Sequence, residues 1–365
     1  MSLPKLIKEY IVPDLGVKLV DRELEAEAVS KMILGEGREP APEKSLIHVI
    51  TGPWGCGKTE FFRAVAKASQ KLPQAAIGYL NLTEQELTRA PMPTPPPISE
   101  ALAEALEQLG TQLKAATHLY TLLKHIYERA RLKGRRLVLV LDEATRAGLQ
   151  SPRDFISALS KKIYDVAWEL SCEIHPVILT SDQTAAEAFA RELGKNMLMY
   201  LMWNLPKPSF TQLAQALGYR GSLELLWQLT GGNPRALRAL QTLNWNLKAY
   251  IAQIQATLQA ALAEAARSQA TTPLQLAATL AQALTNLPQL DTHPAWPTLT
   301  AHNIAMYTDS RLIKLTPLPK EPWITQRIAL QNPTYYWILK AIATHKTINP
   351  TPNQILETIR NRAAL

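Results

Sequence analysis

Gly52-Pro53-Trp54-Gly55-Cys56-Gly57-Lys58-Thr59 fills every fixed position of the pattern G-x-x-x-x-G-K-[ST]. The apolar run Leu46-Ile47-His48-Val49-Ile50 leads into it, and a helix-compatible stretch, 60–68, leads out. Strand, glycine loop and helix form the setting in which this pattern cradles phosphate. The glycines let backbone N–H groups turn inward, and the helix N-terminus adds partial positive charge. Lys58 is expected to reach the β- and γ-phosphates, and the Thr59 hydroxyl to ligate Mg²⁺. The expected nucleotide-contacting set is therefore Gly52, Pro53, Trp54, Gly55, Cys56, Gly57, Lys58 and Thr59, with Glu60 opening the helix. ATP and Mg²⁺ are the cofactors this loop calls for.

A second signal lies downstream. Arg135-Arg136-Leu137-Val138-Leu139-Val140-Leu141-Asp142-Glu143 is a hydrophobic strand ending in two acids. Asp142, at the carboxyl edge of a parallel sheet, is placed to hold the Mg²⁺ shell. Glu143 can orient the attacking water or take its proton. A fixed carboxylate beside the metal ligand points to hydrolysis rather than to phosphoryl transfer onto a second substrate. No Asn-Lys-x-Asp guanine-reading motif occurs, which disfavours a GTPase. Thr180, in Thr180-Ser181-Asp182, ends the next strand and can reach the γ-phosphate or the water. Arg235 follows Gly231-Gly232-Asn233-Pro234 at the start of a helix, with Asn233 as its cap and Pro234 in its first turn.

Runs at 76–80, 137–141, 176–180 and 197–203 have the short, apolar look of buried parallel strands, like the one before the glycine loop. Helical stretches separate them, including 99–131 and 153–170, and a helix over 20–34 has Asp21 as its expected cap. That alternation predicts a parallel sheet with helices on both faces. The proline-rich segment Arg89-Ala90-Pro91-Met92-Pro93-Thr94-Pro95-Pro96-Pro97 reads as a stiff exposed loop. After Pro206 the strand signal stops and 209–265 reads as helices, broken at 230–234. Segments 311–315 and 324–330 flank a proline-bearing connection and predict a β-hairpin. With the surrounding helices this is compatible with a winged helix that would carry Arg311, Lys314, Lys320 and Arg327 on or beside its wing.

At 365 residues the chain predicts two or three domains. The net charge of +8 favours an acidic partner, and ATP and nucleic acid both qualify. From Asp309 onward there are eight Lys/Arg against three Asp/Glu, so DNA is the partner expected for this basic C-terminal region. Two cysteines, Cys56 and Cys172, make no disulfide framework and suit a reducing compartment. The N-terminus lacks the apolar core of a signal peptide and no run is long enough for a membrane span, which predicts a cytoplasmic protein without membrane contact.

Taken together, the Asp21-Arg22-Glu23 box, the loop at 52–59, Asp142-Glu143 and Gly231-Gly232-Asn233-Pro234-Arg235 resemble the archaeal-type ATPases of the AAA+/STAND assemblage. These are relatives of the origin-recognition initiator ATPases. The resemblance covers roughly 15–245, and Asn332-Pro333-Thr334-Tyr335-Tyr336 is similar to the region after their winged helix. It implies an α/β P-loop ASCE/AAA+ core with a five-stranded parallel sheet (1–206), a helical lid (207–270) and a C-terminal winged-helix region (271–365). By position, Arg22 resembles the box residue near the adenine, Thr180 the fourth-strand sensor and Arg235 the lid sensor. Arg191 is the best-placed residue for an arginine finger, and a homo-oligomer in the ATP state is an assembly compatible with this kinship. One departure is that the third motif reads Leu179-Thr180-Ser181-Asp182 where a Gly-Ser pair is expected. Three outputs fit: a hydrolysing switch or motor, an ATP-controlled nucleic-acid-binding module, and a slow-turnover signalling scaffold acting on protein partners.

Overall fold

The computed structural model describes residues 2–72, 75–81, 121, 123–124, 136–143, 151–194 and 196–362. The proline-rich loop at 89–97 and most of the stretch read as helix at 99–131 lie outside them. Two compact units divide the chain. The first comprises Met1–Gly52, Lys58–Met202 and Arg311–Thr316, and the second Pro53–Gly57, Trp203–Ser310 and Pro317–Leu365.

After a short helix, Leu3–Ile7, the first unit has a small antiparallel pair, β1 (Ile11–Val12) and β2 (Val17–Lys18). Its main sheet contains β3 (Ile47–Thr51), β4 (Ala75–Asn81), β5 (Arg136–Asp142), β6 (Glu173–Leu179) and β7 (Met197–Leu201). Every residue of β3, β5 and β6 is buried. Continuous burial, rather than alternation, is what a parallel sheet covered on both faces requires. The order is β4-β5-β6-β3-β7, all parallel, so β6 separates the strand before the glycine loop from the strand ending in Asp142. Helices Lys58–Ser69, Pro152–Leu170 and Gln183–Ala190 fall between these strands.

Two expectations are corrected here. Among the described residues the sheet has six strands, not five. The sixth comes from the segment read as one arm of a hairpin: after β8 (Ala305–Tyr307), strand β9 (Ile313–Lys314) joins β7 in parallel, with Tyr200 opposite Ile313 and Leu201 opposite Lys314. Leu315 then buries in the first unit's core with Tyr200 and Met202. The anticipated partner, β10 (Ile328–Leu330), pairs antiparallel with β8. Arg311 and Lys314 thus lie in a different unit from Lys320 and Arg327, and Arg327 is ion-paired with Asp291 at 2.7 Å. The second correction concerns the first long helix, which runs Glu23–Met32 with Arg22 at its N-cap and no side-chain cap bond. Asp21 takes a left-handed φ of +41° before it instead of capping it.

Among its described residues the second unit is helical apart from β8 and β10. Its helices are Lys207–Ala216, Leu223–Thr230, Pro234–Thr242, Leu247–Ser268, Pro273–Ala283, Trp296–Ala301, Pro333–His345 and Pro352–Arg362. Caps fix most of the starts: Ser222, Asn233, Asn246 and Asn332 each accept a backbone N–H, and Thr272 with Gln275 forms a capping box. Leu258, Leu262, Ala277, Leu280 and Ile338 are fully buried, so the stretch 271–308, which holds one acid and no Lys or Arg, packs against neighbours.

A buried polar chain crosses the first unit's sheet. Glu173, wholly buried, accepts from Arg136 at 2.9 Å, Arg38 at 2.6 Å and His175 Nε2 at 2.7 Å. Because the carboxylate only accepts, His175 carries its proton on Nε2, and its Nδ1 accepts from His48 Nε2 at 2.9 Å. His48 Nδ1 then accepts the Tyr200 hydroxyl at 2.9 Å. Burial would raise the Glu173 carboxyl, but the bonds from His175 and Arg136 outweigh it and hold it near 2. Burial lowers His48 well below its ordinary value and lowers His175 as well, although Glu173 and the Leu46 carbonyl oxygen, 3.3 Å from Nδ1, pull His175 the other way.

Both histidines are therefore neutral in the fold and protonate below about pH 6.5 once unfolded. Their contribution to stability is complete above that pH and is lost as pH falls below it. The melting temperature should drop by several degrees between pH 7.5 and 5.5, and His48→Gln, which cannot titrate, should flatten part of that drop. Melts of parent and variant across this range check it. An unchanged profile in the variant would assign the acid sensitivity to other groups.

Candidate nucleotide-binding site

The glycine loop needs its glycines for conformation: Gly55 and Gly57 sit at φ +83° and +101°. Gly55 is also needed for space, since a Cβ there would lie 2.5 Å from Arg235 Cβ. Lys58 is buried, and its Nζ donates to the Gly52 carbonyl oxygen at 3.0 Å, within the first unit. Thr59 Oγ1 donates to Asp142 Oδ2 at 2.7 Å, so the two proposed Mg²⁺-site residues are already in contact. Asp142 is buried at the end of β5.

Glu143 follows in a left-handed conformation, φ +54°, and its N–H donates to Asp142 Oδ1 at 2.9 Å. A non-glycine residue held there marks a position where the surroundings over-determine the backbone, a feature that clusters at functional sites. Among the described residues no group of three or more His, Cys, Asp or Glu forms a metal cage. A hydroxyl and a carboxylate, both hard oxygen donors, fit Mg²⁺, which takes one or two protein oxygens and completes its shell with phosphate and water.

Tyr79 was read only as strand core, yet its hydroxyl donates to Asp142 Oδ2 at 2.5 Å. Burial first, then the Asp142 charge, raises the phenol's pKa, so it stays a donor. Glu60 is engaged by Tyr10 at 2.8 Å and Arg63 at 3.2 Å. Arg22 is buried and ion-paired with Glu25. The Thr180 hydroxyl accepts the Asp182 N–H at 3.1 Å, while Asp182 caps the helix Gln183–Ala190. Arg191 is exposed and pairs with Glu187 at 3.3 Å. Cys56 is buried and in no disulfide.

In the second unit, Asn233 caps the helix Pro234–Thr242 through Oδ1 and donates from Nδ2 to the Trp54 carbonyl oxygen at 2.9 Å and to Asn204 at 3.0 Å. Gly232, φ +81°, lets the chain pass Leu205, whose carbonyl oxygen would be 2.1 Å from a Cβ there. The Arg235 guanidinium stacks over the Trp54 ring at 4.2 Å, and Gln331 accepts the Trp54 N–H at 2.8 Å. The motif at 231–235 therefore grips the tip of the glycine loop. Asn204 and Gln331 carried no sequence signal, because each depends on a partner far along the chain.

No curated protein matches the chain. Among solved structures it is similar to the Walker-type ATPase PABY2304 of Pyrococcus abyssi, with TM-score 0.51 and 11% identity, over 88% of this chain and 96% of that one. The ORC2 protein of Aeropyrum pernix, in ADPNP–ADP complexes, matches with TM-score 0.39 and 12% identity over 98% of each chain. AMPPCP-bound DnaA of Aquifex aeolicus matches with TM-score 0.37 and 14% identity, over 80% of this chain and 88% of that one. The family model for an ATPase domain predominantly from Archaea matches residues 19–240, well over half the chain and both acidic and glycine-loop motifs, and the protein belongs to that family of ATPases.

Proposed function

We propose that the protein binds ATP at Gly52–Thr59, hydrolyses it in a Mg²⁺-dependent reaction, and uses the cycle to drive a lid-type switch in the helical region 207–270. The observation that carries this reading is the contact of Thr59 with Asp142, with Glu143 held beside it. Lys58 and the loop N–H groups neutralise the β- and γ-phosphates. Asp142 and Thr59 hold the Mg²⁺ site, and Glu143 orients the attacking water and takes its proton. Bound Mg²⁺ would offset negative charge on the phosphate oxygens. Thr180 is the sensor proposed at the end of β6. Arg22 is the box residue proposed to lie near the adenine, and Arg191, exposed, is the residue available to a neighbouring copy in an ATP-state homo-oligomer.

Arg235, stacked on Trp54, reads whether the loop carries a γ-phosphate. Arg235→Ala should leave ADP affinity within about twofold and reduce the preference for ATP roughly tenfold, the size of one charged hydrogen bond. Titration of both nucleotides checks this, and equal loss for ADP and ATP would make Arg235 structural.

The net charge of +8 and the basic C-terminal region favour nucleic acid as what the switch controls. The alternative is a slow-turnover scaffold acting on protein partners. ATP turnover measured with and without double-stranded DNA, together with the mass in ATP, tests the reading. Stimulation by DNA supports it. Turnover that depends on protein concentration and ignores DNA supports the scaffold, and absence of turnover under both conditions removes hydrolysis from the mechanism.

A further inference from the structure

We propose that Tyr79 is a positioning residue for the metal-site carboxylate, fixing Asp142 so that Oδ1 is left to face the nucleotide's Mg²⁺. The inference rests on the site reading above. It begins with register: β4 and β5 are direct neighbours, with Tyr79 opposite Val140 and Asn81 opposite Asp142. From there the Tyr79 hydroxyl reaches Asp142 Oδ2 at 2.5 Å, the same oxygen that accepts Thr59 at 2.7 Å. An ionised carboxylate offers about four acceptor positions. The two hydroxyls take both on Oδ2, and the Glu143 N–H takes one on Oδ1. Among the described residues this leaves one position, on Oδ1. A carboxylate held by three donors cannot rotate to offer its other oxygen without breaking two bonds.

Tyr79 is itself braced. The Arg63 guanidinium lies over its ring, 5.6 Å from the centroid. Arg63 pairs with Glu60 at 3.2 Å, and the other Glu60 oxygen accepts the Tyr10 hydroxyl at 2.8 Å. Hydrogen bonds link Tyr10 through Glu60 to Arg63, whose guanidinium covers the Tyr79 ring, and link the Tyr79 hydroxyl and Thr59 to Asp142, all within the first unit. Core packing alone accounts for an aromatic ring at position 79 but not for its hydroxyl. Burying that hydroxyl is unfavourable unless it is bonded, and here it bonds the metal-site acid.

The test is Tyr79→Phe, which keeps the ring and removes the hydroxyl. Binding of a non-hydrolysable ATP analogue is titrated in EDTA and then across a Mg²⁺ series, with melting temperatures taken alongside. Affinity in EDTA should be unchanged, and the Mg²⁺ concentration giving half of the metal-linked gain should rise roughly tenfold, the usual scale for losing a residue that orients a metal ligand. An unchanged Mg²⁺ dependence in the variant, with the parent clearly Mg²⁺-linked, overturns the role of Tyr79. A parent with no Mg²⁺-linked binding overturns the site reading itself. Should Tyr79→Phe fail to fold, Arg63→Gln, which keeps the phenol and removes its brace, decides the question. A rise of about threefold supports the proposal, and no change overturns it.

Discussion

Lys58→Ala should weaken ATP binding by at least about 100-fold, because it removes the loop's ammonium and the charge-assisted bonds it would make to two phosphates. The residue is already seated in the loop, with Nζ on the Gly52 carbonyl oxygen at 3.0 Å. Reaching phosphate means exchanging a neutral acceptor for a charged one, which is favourable. The substitution also strips Gly52 of that donor, at a cost on the order of 1–3 kcal/mol if water cannot replace it. Calorimetric titration of ATP is therefore read beside the melting temperature. A folded Lys58→Ala protein that binds ATP like the parent would falsify the loop reading.

The second large effect is expected at Glu143. Glu143→Gln preserves shape and the main-chain bond to Asp142, and removes the group that can accept a proton. Hydrolysis should fall by roughly two or more orders of magnitude while nucleotide is still bound. The left-handed backbone at this position makes Gln a fair substitute, since it shares the conformational cost of Glu. Single-turnover measurement of phosphate release separates the two steps. Hydrolysis as fast as in the parent would move the proton acceptor to another residue.

The five longer strands were legible because each is a short apolar run, buried along nearly all its length, between stretches of different period. β9 was not: its two residues are both exposed, and what recruits it is the open edge of β7 and the burial of Leu315 in that core. A period-2 pattern shows that a segment is extended but not which edge it joins. The loop and the acids at 142–143 were legible because their chemistry is local. Tyr79 was hidden because an aromatic in a buried strand reads as packing, and its partner is 63 positions away. The Asp21 cap failed because the backbone turns left-handed at Asp21 and the helix starts one residue later, with Arg22 at the N-cap position.

Strand β9 has a consequence for modularity. Residues Arg311–Thr316 complete the sheet of the first unit, although the chain on either side belongs to the second. A truncation ending at residue 206 or 270 would strand β7 with a row of unsatisfied backbone donors and acceptors, the template on which edge-to-edge aggregates grow. The catalytic region is therefore not a detachable cassette. Any exchange of the C-terminal portion would have to supply an edge strand in place of Ile313–Lys314.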